Sequence, residues 1–332
     1  MLQHPGRNAM IRSTRRAALT LLALPAIARA QGAWPERGVT MIVPFPPGGA
    51  TDMIGRMVAE GLAPRLGRPV VVDNRPGAAA NIGVAALARA VPDGYTFGVV
   101  SLTTMGINPW LYKDRLPFDP DRDFMPLTNG AITPNVLVVN PRKIPATNLA
   151  ELVAWLRANP GRANYGAGAA GTAIHVAMEM FLAASGTRAT HVAYRGSAPM
   201  MTDLIAGQVD LAVDGAAVAW PHVQAGSIRA IATTGAQRAF FAPELPTLHE
   251  MFPDTIIDPW HGFALPAGAP APVAERLSRE IQAVLRDPSI DQRMRQAVML
   301  PAPMQPAEFA AFIQAERRRY GPVIERAGIR AD

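Results

Sequence analysis

Apolar residues in this chain come in short blocks punctuated by Pro and Gly, and the blocks switch between strand and helix periods. Val39–Phe45 is rich in apolar and β-branched residues and is closed by Pro46-Pro47-Gly48-Gly49, which predicts a buried strand. Ile54, Met57, Val58 and Leu62 follow at helical spacing, predicting a helix over roughly 51–63 that Pro64 terminates. Val70-Val71-Val72 is a second strand, an Ala-rich helix covers roughly 79–90, and Tyr95–Val100 is a third strand. Strand–helix alternation at this spacing predicts right-handed βαβ units in a parallel sheet.

Residues 106–134 read as irregular and Pro-rich. A second series starts at Val136–Val139: helices near 148–158, 172–184 and 198–206 alternate with strands at 164–165, 190–194, 209–213 and 228–233. Gly262–Leu265 reads as one more strand, and helices near 272–287 and 306–320 close the chain. Two α/β series suggest two lobes. If the last helices pack back on the first lobe, lobe I is 31–132 plus 260–332 and lobe II is 133–259, with crossings near 130–136 and 256–262.

Composition narrows the function. The 332 residues, 49% hydrophobic and 17% charged, suffice for two cores. With no cysteine, a disulfide scaffold, a thiol nucleophile and Cys-ligated metal sites are excluded. Of the formal charge of +6, five positive charges lie on Arg7, Arg12, Arg15, Arg16 and Arg29, so the body carries only +1. A nearly neutral body argues against nucleic acid as the partner, because phosphate neutralisation needs a basic face.

Those arginines belong to a leader. Arg15-Arg16 precedes the apolar run Ala17–Ile27, and Ala28-Arg29-Ala30 supplies a small-x-small end. This predicts export to the periplasm by a Sec or twin-arginine signal, cleavage after Ala30 and a mature chain from Gln31. No later segment offers the roughly 18 uninterrupted apolar residues of a membrane span.

Three strand-to-helix loops are candidates for chemistry. Phe45, Pro46, Gly48, Gly49, Ala50, Thr51 and Asp52 follow the first strand, where ligands of open α/β sheets sit and helix N-termini suit anions. A tight turn capped by Asp52 or Thr51 accounts for the same residues. The second loop holds Ala167, Gly168, Gly171 and Thr172, and with Gly166 it matches G-x-G-x-x-G. Arg195 follows the next strand, so the pattern admits an NADP-dependent oxidoreductase, although the preceding strand is short for a dinucleotide fold. The third loop carries Tyr194 and Ser197 and leads to Asp210 and Asp214, spaced four apart along a strand and hence on one face. Asp214 is placed to meet a ligand hydroxyl or amine, or to cap the next helix. Ser197 lacks the G-x-S-x-G context of a hydrolase elbow. Ser101 and Thr103, beyond the third strand, complete the candidate site. His175, His191, His222, His249 and His261 show no metal-ligand spacing and read as structural.

In order along the chain, Val43–Asp52, Val71–Gly77 with Asn81-Ile82-Gly83, Ala90–Thr96, Asn108-Pro109, Pro134–Val139, Tyr194–Pro199, Gly207–Asp210, Pro221-His222-Val223 with Gly226, and Trp260 with Gly262 resemble the tripartite tricarboxylate transporter receptors, also called Bug-type solute receptors. The resemblance runs from about Trp34 to Gly328. It implies an α/β, two-lobe periplasmic binding protein of clamshell type, each lobe a mostly parallel sheet flanked by helices. It further implies a small organic carboxylate held by the Pro46–Asp52 and Gly168–Thr172 loops through backbone amides and water, and a membrane permease as partner. On this reading the protein is a monomer, needs no cofactor or metal and performs no chemistry. Ala167 and Ala170 stand where the family often has Ser and Asn, and Gly215 where Asn is common, which implies a less polar cleft.

Overall fold

Eleven strands among the described residues fall into two sheets. They are seen in a computed structural model that describes residues 34–326 and 328–330; the leader expected over 1–30 lies outside them. The chain opens with β1 (Val39–Val43), α1 (Ala50–Leu66), β2 (Val70–Asn74), α2 (Asn81–Ala88) and β3 (Thr96–Ser101), then a π-helical turn (Leu102–Ile107) and α3 (Asn108–Tyr112). β1 pairs in parallel with β2 and β3, the βαβ arrangement that the periodicity predicts. α1 runs past Pro64 to a left-handed Gly67, since a proline so close to the C-terminus interrupts little of the helix.

Residues 106–134, read as irregular, contain α3 and the nine-residue β4 (Phe124–Ile132). Pro126 and Gly130 disguise β4 in sequence. It is tolerated because β11 (Leu300–Pro301) covers its outer side only at Ala131 and Ile132, leaving Pro126 on a free edge.

The second sheet is built from β5 (Asn135–Val139), α4 (Leu149–Ala158), β6 (Asn164–Ala167), α5 (Ala173–Ser185), β7 (Thr190–Ala193), α6 (Ser197–Ala206), β8 (Leu211–Gly215), α7 (Ala216–Gln224), β9 (Arg229–Thr233) and α8 (Leu248–Met251). Every residue of β5 is buried, with Leu137 and Val139 facing one core and Val136 and Val138 another, so helices cover both faces. The chain then supplies β10 (Trp260–Pro266), α9 (Ala271–Leu285), α10 (Pro288–Gln296), β11 and α11 (Pro306–Arg326) to the first sheet, where α9 and α11 pack on β4.

The sheets run β11-β4-β10-β3-β1-β2 and β7-β6-β8-β5-β9. Each is mixed rather than mostly parallel. In the first, β10 is antiparallel to both β3 and β4; in the second, β5 is antiparallel to both β8 and β9. The cause is the route of the chain, which on crossing enters the other sheet through β5 or β10, running against the βαβ units, while the exit strands β4 and β9 run with them. The chain passes between sheets at Thr133-Pro134 and again before Trp260, and the two passages are tied by the Thr133 amide donating to the Pro259 carbonyl at 2.8 Å. No helix among the described residues is long and apolar enough to cross a membrane.

Candidate functional site

A cavity of about 740 Å³ opens where the two sheets face each other. Its first wall comes from Pro44–Pro47, Gly49–Thr51, Pro76–Ala80 and Ser101–Thr103. Its second comes from Gly168, Ala169, Thr172–Ile174, Ala193–Ser197, Asp214, Gly215 and Val218, and Thr133, Asn135 and Pro259–His261 close the back. The walls touch: the Thr103 hydroxyl accepts from the Ala173 amide at 3.1 Å, and a Cβ on Gly215 would stand 3.6 Å from that of Ala50.

Five helices begin on this cavity. The N-cap residues of α1, α2, α5, α6 and α7 are Gly49, Ala80, Thr172, Gly196 and Gly215, all of them lining residues, and none offers a side-chain cap. Of the helices whose N-caps lie elsewhere, α4, α8 and α10 are capped by Asn148, Thr247 and Asp287, while α3 and α9 begin at Ile107 and Pro270 without a side-chain cap. The leading amides of α2, α5 and α7 are taken by the Ala78 and Gly77 carbonyls, Thr103 Oγ1 and the Pro134 carbonyl, but each helix start still brings its partial positive charge to the cavity, which suits an anion. Among the described residues the only charged side chains on the wall are Arg195, which is exposed, and Asp214. An anion here would be met by backbone and neutral polar side chains such as Thr51, Ser101 and Thr172 rather than by a cation deep in the wall.

Most of the expected residues reach the cavity: Phe45, Pro46, Gly49, Ala50, Thr51, Ser101, Thr103, Gly168, Thr172, Tyr194, Ser197 and Asp214. Gly48, Asp52, Ala167 and Gly171 do not line it. Asp52 faces inward to the protein, accepting from the Gly48 amide at 3.0 Å, Arg56 Nε at 2.9 Å and Asn74 Nδ2 at 2.9 Å. It staples the loop whose amides face the cavity, and Gly48 supplies the left-handed turn. Burial alone would raise the Asp52 carboxyl, but the hydrogen bonds from Arg56, Gly48 and Asn74 outweigh it and hold the acid below its ordinary value. Such a group contributes stability above about pH 4 and loses it as pH falls through the lower folded value. Asp52→Asn is expected to cost about 2 kcal/mol at pH 7 and clearly less at pH 3, read from urea unfolding at both pH values.

Ala167 is buried in β6, and neither it nor Ala170 forms part of the wall, so these two alanines do not set its polarity. Gly171 turns with φ of 89° and its amide donates to His175 Nδ1 at 3.3 Å. His191 Nε2 meets the Gly168 carbonyl at 3.1 Å, so two histidines brace this loop. Tyr194 gives the cavity its ring, because its hydroxyl donates to Asp203 at 2.7 Å. Asp210 lies before β8 and accepts from the Asn164 amide, so it does not share a strand face with Asp214.

Several wall residues were not legible as site residues. Ala78, Ala79 and Ala80 hold consecutive positive φ values of 46°, 49° and 72°, a left-handed turn that alanine rarely adopts. Asn108, fully buried, holds it by donating to the Ala79 carbonyl at 2.8 Å and Asn81 Oδ1 at 2.7 Å. His261 links the loops at the back: Nδ1 meets Thr51 Oγ1 at 3.4 Å and Nε2 meets Thr133 Oγ1 at 3.1 Å. Burial lowers its imidazole to about 4, so it is neutral near pH 7. Only the Trp260 position beside it hinted at this wall.

Residues 54–329 match the family described as tripartite tricarboxylate transporter family receptor. The chain is 34% identical over 294 residues to a Pseudomonas sp. strain P51 protein encoded in the tcbD-tcbE intergenic region, covering 88% of this chain and 87% of that one. It is 31% identical over 296 residues to Protein BugT of Bordetella pertussis, covering 89% of this chain and 90% of that one. Among solved structures, an R. palustris protein with adipate superposes at TM-score 0.85 with 34% identity, covering 90% of this chain and 99% of that one. MatC from Rhodopseudomonas palustris with bound malate superposes at TM-score 0.81 with 27% identity, covering 87% of this chain and 99% of that one.

Proposed function

The chain belongs to the tripartite tricarboxylate transporter receptor family, and from that membership we propose that it captures a small organic carboxylate between its lobes and releases it unchanged to a membrane permease. The observation that carries this reading is the meeting on one cavity, with almost no charged side chain, of five helix N-termini whose N-cap residues give no side-chain cap. Such a wall stabilises a carboxylate by fixed amide dipoles without committing it to a tight ion pair, which suits capture followed by release. The lobes of the proposal are 31–132 with 260–332, and 133–259; the protein works in the periplasm as a monomer after loss of its leader.

Turnover finds little support in the wall. Ser197 donates its hydroxyl to Asp214 Oδ1 at 2.7 Å rather than to a histidine base. The Gly166-Gly168-Gly171 pattern begins inside a strand of only four residues, short for a dinucleotide fold.

The test is a thermal-shift panel of organic acids from C4 to aromatic size, with NADP alongside. Binding to the folded state at a hundredfold excess over Kd adds about 2.7 kcal/mol, a Tm rise of about 4 °C for a chain of this size. At least one acid is expected to give that rise and NADP none. A shift with NADP and with no acid would reverse the reading in favour of an oxidoreductase.

A further inference from the structure

Asp214 is 1% exposed, lies at the end of β8 and belongs to the cavity wall. Its Oδ1 accepts from Ser197, but its Oδ2 has no hydrogen-bond partner. No cation pairs with it among the described residues. At the start of α7 its carboxyl is met by the backbone amide of Gly215, which favours the charged form. A buried carboxylate oxygen left unpaired is costly, and an ionised carboxylate can only accept. The neighbouring Gly215 meets Ala50 across the cleft, so Asp214 stands close to the first turn of α1.

Resting on the receptor reading above, we infer that Asp214 Oδ2 is a second subsite, built to accept a hydrogen bond from a hydroxyl or ammonium group on the bound carboxylate. The helix N-termini take the acid end, and Asp214 disfavours a second anionic oxygen at its own position. The ligand class is thus a carboxylate substituted with an O–H or N–H donor, in preference to an unsubstituted one.

The remaining titratable or charged groups on the wall do not obscure this. Tyr194 is engaged with Asp203, Arg195 is exposed, and His261 on β10 stays neutral above pH 5. Val136, paired with Asp214 on β5, and Ala216 and Val218 on α7 carry no charge. Burial, opposed by the hydrogen bonds from Ser197 and the Gly215 amide, pushes the Asp214 carboxyl up to about 6. Its acceptor charge is therefore present at pH 7.5 and largely gone at pH 5.5.

Calorimetric titration with succinate, malate and aspartate, which share a four-carbon backbone, tests the inference on the wild type and on Asp214→Asn. Wild type is expected to bind malate or aspartate at least tenfold more tightly than succinate, and whichever is preferred identifies the donor as hydroxyl or ammonium. In Asp214→Asn that ratio should fall towards one, with succinate binding as well as before or better. Should the variant not fold, the wild-type ratio decides, since it must shrink between pH 7.5 and pH 5.5. Equal affinity for succinate, a preference that survives Asp214→Asn, or a ratio constant with pH would overturn the inference. Failure of all three acids, alongside a panel in which no acid shifts the melting point, would remove the receptor reading and this inference with it.

Discussion

Gly49→Asp is expected to leave the protein folded and to remove carboxylate binding. Gly49 is the N-cap of α1, with φ of −88°, a conformation open to any residue. A Cβ there would meet nothing within 4 Å, so the new side chain enters open space. Asp is a preferred N-cap, and against Gly it adds a few tenths of a kcal/mol, with a further 0.3–1 kcal/mol from the helix dipole at about its usual strength. Tm should therefore hold or rise slightly. That same gain is the reason binding fails, because the fixed carboxylate occupies the amides that the ligand requires. Losing two charge-assisted hydrogen bonds at about 1.5–3 kcal/mol each lowers affinity by more than about a hundredfold, before like-charge repulsion is added. Gly49→Asn, which fills the cap without charge, should fall between wild type and Gly49→Asp. Calorimetry with the best acid of the panel measures all three, and undiminished affinity in Gly49→Asp would remove α1 from the site.

The cap pattern behind that prediction shows what sequence could and could not reveal. Gly48-Gly49 between a β-branched run and a helical period marks a strand–loop–helix unit, and the structure starts α1 one residue past Gly49. Which side chains face the ligand was less legible. Asp52 sits at a helix start, where a carboxylate reads equally as ligand contact or staple, and only its three partners decide for the staple. Ala78–Ala80 carried no signal, since nothing in an alanine run announces positive φ; Asn108, distant in sequence, imposes it. His261 read as one structural histidine among several, because its two threonine partners come from residues 51 and 133. β4 was missed, and the helix after Asp214 was given no bounds, for a shared reason: each contains a proline, Pro126 at a sheet edge or Pro221 inside a short helix. Periodicity is local, and these features are held by distant parts of the chain.

Gly83→Ala is expected to damage stability and binding together, and local propensity predicts the wrong sign. Gly83 lies inside α2, where exchanging Gly for Ala ordinarily gains about 1 kcal/mol. Here the added Cβ would stand 2.6 Å from the Arg75 carbonyl oxygen, 2.7 Å from Pro44 Cα and 2.8 Å from Pro44 Cβ. Two of these are main-chain atoms and the third is a ring carbon fixed to one, so no rotamer change relieves the overlap. The main chain must move instead. Overpacking of this kind costs about 1–3 kcal/mol, occasionally more, which exceeds the propensity gain. The segments that must yield are the Pro44–Pro47 loop and the strand leading into the Pro76–Ala80 turn, joined by the Arg75 amide donating to the Val43 carbonyl at 2.8 Å. The loop and the turn into which the strand runs line the cavity, and the strained alanine turn has little margin for displacement. With three contacts below 3 Å the overpacking cost is taken at about 3 kcal/mol, and set against the gain of about 1 kcal/mol it leaves a net loss of about 2 kcal/mol, which should lower Tm by about 3 °C. Affinity for the carboxylate should fall at least about tenfold, since displaced amides no longer converge on the anion. Thermal melting and calorimetry on the purified variant separate the two effects. A Tm at or above wild type would mean that the loops have room to give, and that Gly83 is not what holds them at their spacing.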